Sequence, residues 1–151
     1  MKFIVLTALF ATAQAAFNAT ATGSCAAALL TVTSDMGDLT SLVIQATEDC
    51  ATFNDDCDTD VDELETLSSQ TLKDCADASA SCGAESEQCA DDLQSVIDHA
   101  SKAAGYIEDA LAECDSITSI LSCGKDLYDA SSQYNDAMDA INRANKDCNP
   151  V

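Results

Sequence analysis

The spacing of the cysteines limits what this chain can fold into more than any other feature of the sequence. Nine cysteines are present, and Cys75 is the only one outside a regular pattern. The other eight form four pairs whose members are 25 positions apart: Cys25 and Cys50, Cys57 and Cys82, Cys89 and Cys114, Cys123 and Cys148. An internal duplication explains this regularity, so residues 25–82 and 89–148 are interpreted as two copies of one unit.

The residues between the paired cysteines carry a helical pattern. Apolar or small side chains recur at alternating steps of four and three, which is typical of a helix packed along another helix at a shallow angle. We call each such row a seam; the first consists of Cys25, Leu29, Val32, Met36, Leu39, Val43, Ala46 and Cys50. The second seam is the weakest, because Ser68 and Thr71 interrupt it. With a single proline in the chain, the pattern predicts four helices and an all-α fold.

The positions of the cysteines also predict how the helices pair. In an antiparallel hairpin, residues that face each other have a constant sum of their numbers. This sum is 107 for Cys25–Cys82 and Cys50–Cys57, and 237 for Cys89–Cys148 and Cys114–Cys123. The sequence therefore predicts two tandem antiparallel helical hairpins, each stapled by one disulfide near its turn and one at its open end. They either pack as a four-helix bundle or stand in line.

A second set of disulfides competes with this one. Cys25–Cys114, Cys50–Cys89 and Cys57–Cys82 also share one sum, 139, and would suit a single long hairpin with its turn near Ser69. That set leaves three cysteines out, and its turn would lack Gly, Asn or Asp. It therefore ranks second.

Charged residues indicate where the helices begin and end. Residues 83–88 are interpreted as the linker between the hairpins, and residues 149–151 as a tail. Asp60 and Glu63 have the spacing of a capping box at the start of the second helix. Acids near helix starts and bases near helix ends complement the helix dipole, as seen for Asp58, Asp62, Glu85, Glu87, Arg143 and Lys146.

The amino-terminal segment has the features of a secretory signal peptide. Lys2 precedes an apolar run, and small residues at Ala13 and Ala15 predict cleavage before Ala16, so residues 1–15 would be removed. Residues 16–24 then form a short segment that carries an N-glycosylation sequon at Asn18. No later stretch is expected to span a bilayer. The sequence thus predicts a secreted protein, in a compartment where disulfides persist.

The charge of the chain restricts its partners. Cleavage removes Lys2 and no acidic residue, so the net charge moves from −21 to −22. We expect such a chain to avoid nucleic acid and membranes, and to attract divalent cations or basic proteins. The sequence lacks a CxxC pair and has one histidine, so no zinc site or other cofactor is predicted. No catalytic motif is distinguishable from the general acidity, and no enzymatic activity is expected.

Three features were weighed as candidate sites. Cys75 occupies a seam position, which favours a buried free thiol over an intermolecular disulfide that would allow self-association. His99 is interpreted as a boundary side chain. Asp58, Asp60 and Asp62 match the first three acidic positions of an EF-hand loop, but glycine and glutamate are missing at its sixth and twelfth positions. They are therefore only weak calcium candidates.

Three functions agree with these observations. The first is a secreted, acidic, non-catalytic structural or interaction protein, of the matrix or secretory-granule cargo type. The second is an extracellular carrier that binds a small apolar ligand between the hairpins, with a site lined by Leu30, Leu42, Ile97, Leu111 and Met138. The third is a low-affinity calcium-binding cargo protein that uses its charge alone.

Overall fold

The described part of the chain is almost entirely helical. A computed structural model describes residues 22–52, 54–82, 86–115 and 117–148. Within these ranges there is no strand, and the helices are α1 (Thr22–Ala51), α2 (Asp56–Cys82), α3 (Glu87–Glu113) and α4 (Ile120–Asp147), the last preceded by a 3-10 turn at Ile117–Ser119. The all-α prediction is confirmed. The predicted signal peptide, the sequon at Asn18, the tail 149–151 and half of the linker lie outside the described residues.

The disulfides follow the two-hairpin pattern. Their Cα–Cα distances are 4.6 to 4.9 Å, and the pairs are Cys25–Cys82, Cys50–Cys57, Cys89–Cys148 and Cys114–Cys123. This confirms the predicted connectivity, and the single long hairpin is wrong. Each hairpin is closed beside its turn by one disulfide and at its opposite end by another. We call these two ends of the molecule the turn end and the open end.

The two hairpins pack against each other as one four-helix bundle. Each helix lies beside its neighbours in sequence, and α4 completes the ring by packing against α1. The seams of all four helices therefore converge on one core, and nearly every seam residue is buried. Alanine occupies many seam positions in α3 and α4, for example Ala100, Ala103, Ala137 and Ala144. Such small side chains allow the helix backbones to approach closely.

The hairpins are related by an approximate two-fold axis along the bundle. Ser68 and Tyr134 occupy equivalent positions, eleven residues after Cys57 and Cys123, and their hydroxyl groups form a hydrogen bond in the core. Equivalent residues can meet in this way only if they lie beside the axis. Tyr134 is among the largest fully buried side chains, and the small Ser68 leaves room for its ring. Ser68, which interrupts the second seam, thus forms a size-matched pair with Tyr134, one side chain being small and the other large.

The predicted start of α2 requires correction, and the start of α3 has a cap that was not predicted. Helix α2 begins at Asp56, so Asp60 lies in its second turn and the predicted capping box with Glu63 is wrong. The side-chain oxygen of Asn54 instead accepts a hydrogen bond from the backbone N–H of Asp56, at 3.3 Å. At the start of α3, the hydroxyl oxygen of Ser86 accepts a hydrogen bond from the backbone N–H three residues later, at 3.0 Å. Both side chains satisfy helix N–H groups that lack a partner within the helix.

Helix α1 is more apolar than the sequence interpretation allowed. Its Cys25–Ala51 portion is long and apolar enough to cross a membrane by length and composition alone, contrary to the expectation that no such stretch follows residue 15. In the bundle, however, its seam forms part of the core, and disulfides near both ends join it to α2. Several of its threonines donate their hydroxyl hydrogens to carbonyl oxygens four residues earlier.

Candidate functional site

The free thiol of Cys75 lies in the bundle core. Cys75 is 2% exposed and lies on the seam of α2. Burial raises the pKa of this thiol well above its ordinary value, and the nearby acids Asp35 and Asp74 raise it further. A protonated, buried thiol is a poor nucleophile and cannot reach a second chain without opening of the bundle. The position of Cys75 therefore favours a buried free thiol, as its place on the seam predicted, over an intermolecular disulfide.

We expect Cys75 to resist alkylation in the folded protein. Iodoacetamide should label it only after denaturation, because the pKa is raised and the side chain is inaccessible. Replacement by alanine should lower the free energy of unfolding by about 1 kcal/mol, through the small cavity that it leaves. Mass spectrometry and urea unfolding measure the two effects. A disulfide-linked dimer that disappears in Cys75→Ser would contradict the buried state.

The three weak calcium candidates do not form a loop. Asp58, Asp60 and Asp62 all lie within the continuous helix α2. Asp58 and Asp62 are exposed, whereas Asp60 is 4% exposed and faces the interior. The EF-hand comparison therefore fails on geometry as well as on sequence, because an EF-hand loop wraps its ligands around one ion.

The carboxyl group of Asp60 lies against a second carboxyl group. Asp49 of α1 is within hydrogen-bonding reach of it, and Gln45 donates a hydrogen bond from Nε2 to Asp60 Oδ1 at 3.3 Å. The other oxygen, Oδ2, is buried, and no described residue forms a hydrogen bond with it. Burial, and then the proximity of Asp49, raise the pKa of Asp60 to about 6.

Three more pairs of acids lie between helices of the same hairpin. They are Glu113 with Asp126, Asp35 with Asp74, and Asp92 with Asp147. Burial, followed by the paired acid, raises the pKa of Asp126 to about 6 and that of Asp35 to about 7. Contact with Asp92 raises the pKa of Asp147 as well, and Arg143 Nε lies 3.6 Å from Asp92 Oδ1.

Sequence reasoning missed these pairs, although the signal was present. The residue numbers sum to 109 for both pairs of the first hairpin and to 239 for both pairs of the second. Each sum is two greater than the sum for the disulfides of that hairpin, so every pair lies beside the seam at one constant offset. Acids on two helices at that offset are predicted to meet.

The raised pKa values predict that the bundle is more stable in mild acid. A carboxyl group whose pKa is higher in the folded state stabilises the fold when protonated, and this stabilisation is lost as the pH rises through the folded pKa. The ordinary value is 3.8, and the folded values are about 7 for Asp35 and about 6 for Asp60 and Asp126. Without divalent cations, the melting temperature should therefore fall between about pH 4 and about pH 7.

A matched pair of variants separates this effect from the general charge of the chain. The charged groups that act on Asp35 are Asp74 of α2 and Asp38 of its own helix. Asp35→Asn should reduce the dependence of the melting temperature on pH, whereas Asp58→Asn, which removes one charge from an exposed position, should leave it unchanged. Equal pH dependence in all three proteins would show that the carboxyl pairs do not cause it.

The disulfides of the two hairpins meet at the turn end. All four sulfur atoms of Cys50, Cys57, Cys114 and Cys123 lie within 4.8 Å of one another. The sulfur of Cys57 is also 3.8 Å from the carbonyl oxygen of Cys114 in the other hairpin. Because these sulfurs are joined in disulfides, they do not act as thiolate ligands of a metal in this oxidised state.

The remaining candidates are partly buried or exposed side chains. His99 Nδ1 lies 2.8 Å from Gln133 Oε1 and 4.0 Å from an oxygen of Asp136, at the boundary between α3 and α4. Of the residues assigned to an apolar ligand site, Leu30 is 67% exposed, so the expectation that it faces the other hairpin is wrong. The others adjoin or belong to the core: Leu42, Ile97, Leu111 and Met138.

Comparison with known protein families finds no family model that matches this chain, and comparisons with curated proteins and with solved structures find no match either.

Proposed function

We propose that this protein is a secreted, acidic, non-catalytic structural or interaction protein, of the matrix or secretory-granule cargo type. The observation that carries the proposal is the bracing of one four-helix bundle by two disulfides at each end. Covalent links of this kind persist in the secretory pathway and outside the cell, and they keep a shape unchanged where conditions vary.

The distribution of charge supports a role in binding cations or basic proteins. The chain carries 27 acidic residues against 6 lysines and arginines. The core is filled by aliphatic side chains, alanines and cysteines, so most of the acids face outwards along four helices. A rigid body with this surface attracts positively charged partners over a long range at low ionic strength.

Expression of the full chain in eukaryotic secretory cells tests the first part of the proposal. The protein should appear in the medium, beginning at Ala16, with four disulfides and a glycan at Asn18. Intact and peptide-mapped mass spectrometry reads all of these properties at once. Retention inside the cells with residues 1–15 still attached would refute secretion.

Binding to a basic protein tests the second part. Purified chain should bind immobilised polylysine or a small basic protein, and the binding should weaken steeply as salt is added, since exposed charges are screened. Reduced and unfolded chain of the same sequence is the control for shape, because it has the same charge without the bundle. Absence of binding at low ionic strength would contradict an interaction role based on charge.

A further inference from the structure

The two copies of the hairpin have diverged except at a few positions, and one of these is a buried acid. Asp60 is the only charged residue that is identical in both copies, and its equivalent is Asp126. Only three positions are acidic in both copies, and all three lie near the turn end: Asp49 and Glu113, Asp60 and Asp126, Glu63 and Asp129. The other seam-flanking acids differ between the two copies.

The pairs elsewhere in the bundle show that an acid pair is not required by the fold. The equivalents of Asp92 and Asp147 in the first copy are Ala28 and Ser81, and those of Asp35 and Asp74 in the second copy are His99 and Ala140. The bundle thus accommodates neutral residues at this offset from the seam. Packing therefore does not require an acid pair at this offset.

The turn-end pair of the first hairpin, Asp49 with Asp60, is electrically unbalanced. Asp60 is 4% exposed, and its Oδ2 has no hydrogen-bond partner among the described residues. Within that part of the chain, the charged groups that act on it are all acids: Asp49, Asp56 and Glu63. A buried carboxylate without a partner is costly, and this cost falls when a cation joins it. The unpartnered oxygen thus points to a positively charged ligand.

The equivalent pair in the second hairpin, Glu113 with Asp126, is less buried and lies in a weaker field, since Asp126 is only partly buried. Glu113 and Asp109 act on Asp126 as like charges, while Lys125 acts on it as an opposite charge. The ammonium group of Lys125 is itself 2.9 Å from Asp129 Oδ2. A cation at this pair would meet less negative charge than one at Asp60.

We propose that Asp49 and Asp60 bind one Ca²⁺ ion between the two helices of the first hairpin. Carboxylates on facing helices are the usual means by which helical bundles hold metal ions. Ca²⁺ accepts oxygen donors in a flexible geometry, whereas Mg²⁺ demands a regular octahedron, so these carboxylates suit Ca²⁺ better. The side-chain amide of Gln45 can turn its oxygen towards the ion. The affinity should be that of extracellular calcium modules, about 10⁻⁴ to 10⁻³ M.

Calorimetric titration of the purified, disulfide-bonded chain with CaCl2 at neutral pH tests this proposal. One site per chain is expected, with a rise in melting temperature that MgCl2 does not match. Asp60→Asn should abolish this site, whereas Asp126→Asn, at the equivalent position of the second hairpin, should retain it. Asp49→Asn is a second probe of the site, since Asp49 is only half-buried.

The control is Asp58→Asn, which removes the same charge from an exposed position in the same helix. It should retain the site. If all variants bind Ca²⁺ as the unaltered chain does, the ions are held by the diffuse charge and the proposal fails. If the melting temperature of the unaltered chain does not respond to Ca²⁺ while Asp60→Asn raises it, the pair only shares a proton, and the proposal also fails. Either failure leaves secretion and the binding of basic proteins untouched.

Discussion

Replacement of Tyr134 by alanine should lower the free energy of unfolding by about 3 to 5 kcal/mol, as is usual when a large aromatic side chain is removed from a core. Tyr134 is 1% exposed and lies where the two hairpins meet on the approximate two-fold axis. The alanines that surround it along the α4 seam cannot move in to fill the space. Urea unfolding followed by circular dichroism measures the loss.

Tyr134→Phe is the matched control for this prediction. It keeps the ring and removes the hydroxyl group, so that Ser68 loses its hydrogen-bond partner in the core. The expected loss is about 1 to 2 kcal/mol. Equal losses in the two variants would mean that the hydrogen bond, and not the packing of the ring, accounts for the contribution of Tyr134.

Removal of an open-end disulfide should destabilise the bundle more than removal of a turn-end disulfide. Cys25–Cys82 closes a loop of 57 residues and Cys50–Cys57 closes one of 7. Loop-closure entropy in the unfolded chain then predicts losses of about 4 kcal/mol and about 2.5 kcal/mol. Double alanine variants avoid placing hydroxyl groups in the core, and urea unfolding without reductant gives both values.

The second hairpin provides an internal replicate of the disulfide experiment. Cys89–Cys148 and Cys114–Cys123 have separations of 59 and 9 residues, so their removal should reproduce the same difference. A turn-end loss as large as the open-end loss would contradict the entropic account. It would assign the stabilisation to the contacts among the four sulfurs that meet at the turn end.

The helices, their pairing within each hairpin and their disulfides were predictable because they depend on local periodicity. A seam with steps of four and three defines which face of each helix is buried, and the cysteines at its ends set the register of the pair. The carboxyl pairs follow from the same register, since Asp49 and Asp60 lie at one constant offset from it. The start of a helix is less predictable. Asn54 and Ser86 cap α2 and α3, but the acidic residues near them in the sequence indicated the helix starts instead.

The packing of one hairpin on the other depends on contacts between residues far apart in sequence. Ser68 looked like a defect in the second seam, and only the position of Tyr134, on the other side of the core, shows it to be one half of a size-matched pair. The burial of Asp60 could not be predicted from the sequence for the same reason. Its neighbours Asp58 and Asp62 have the same chemistry and remain exposed, because burial is decided by the helices that surround a side chain. The sequence alone determined two stapled hairpins, whereas tertiary packing decided the four-helix bundle, its two-fold axis and the burial of Asp60. The physical reason is that these features depend on contacts between residues far apart in the chain, which local periodicity does not specify.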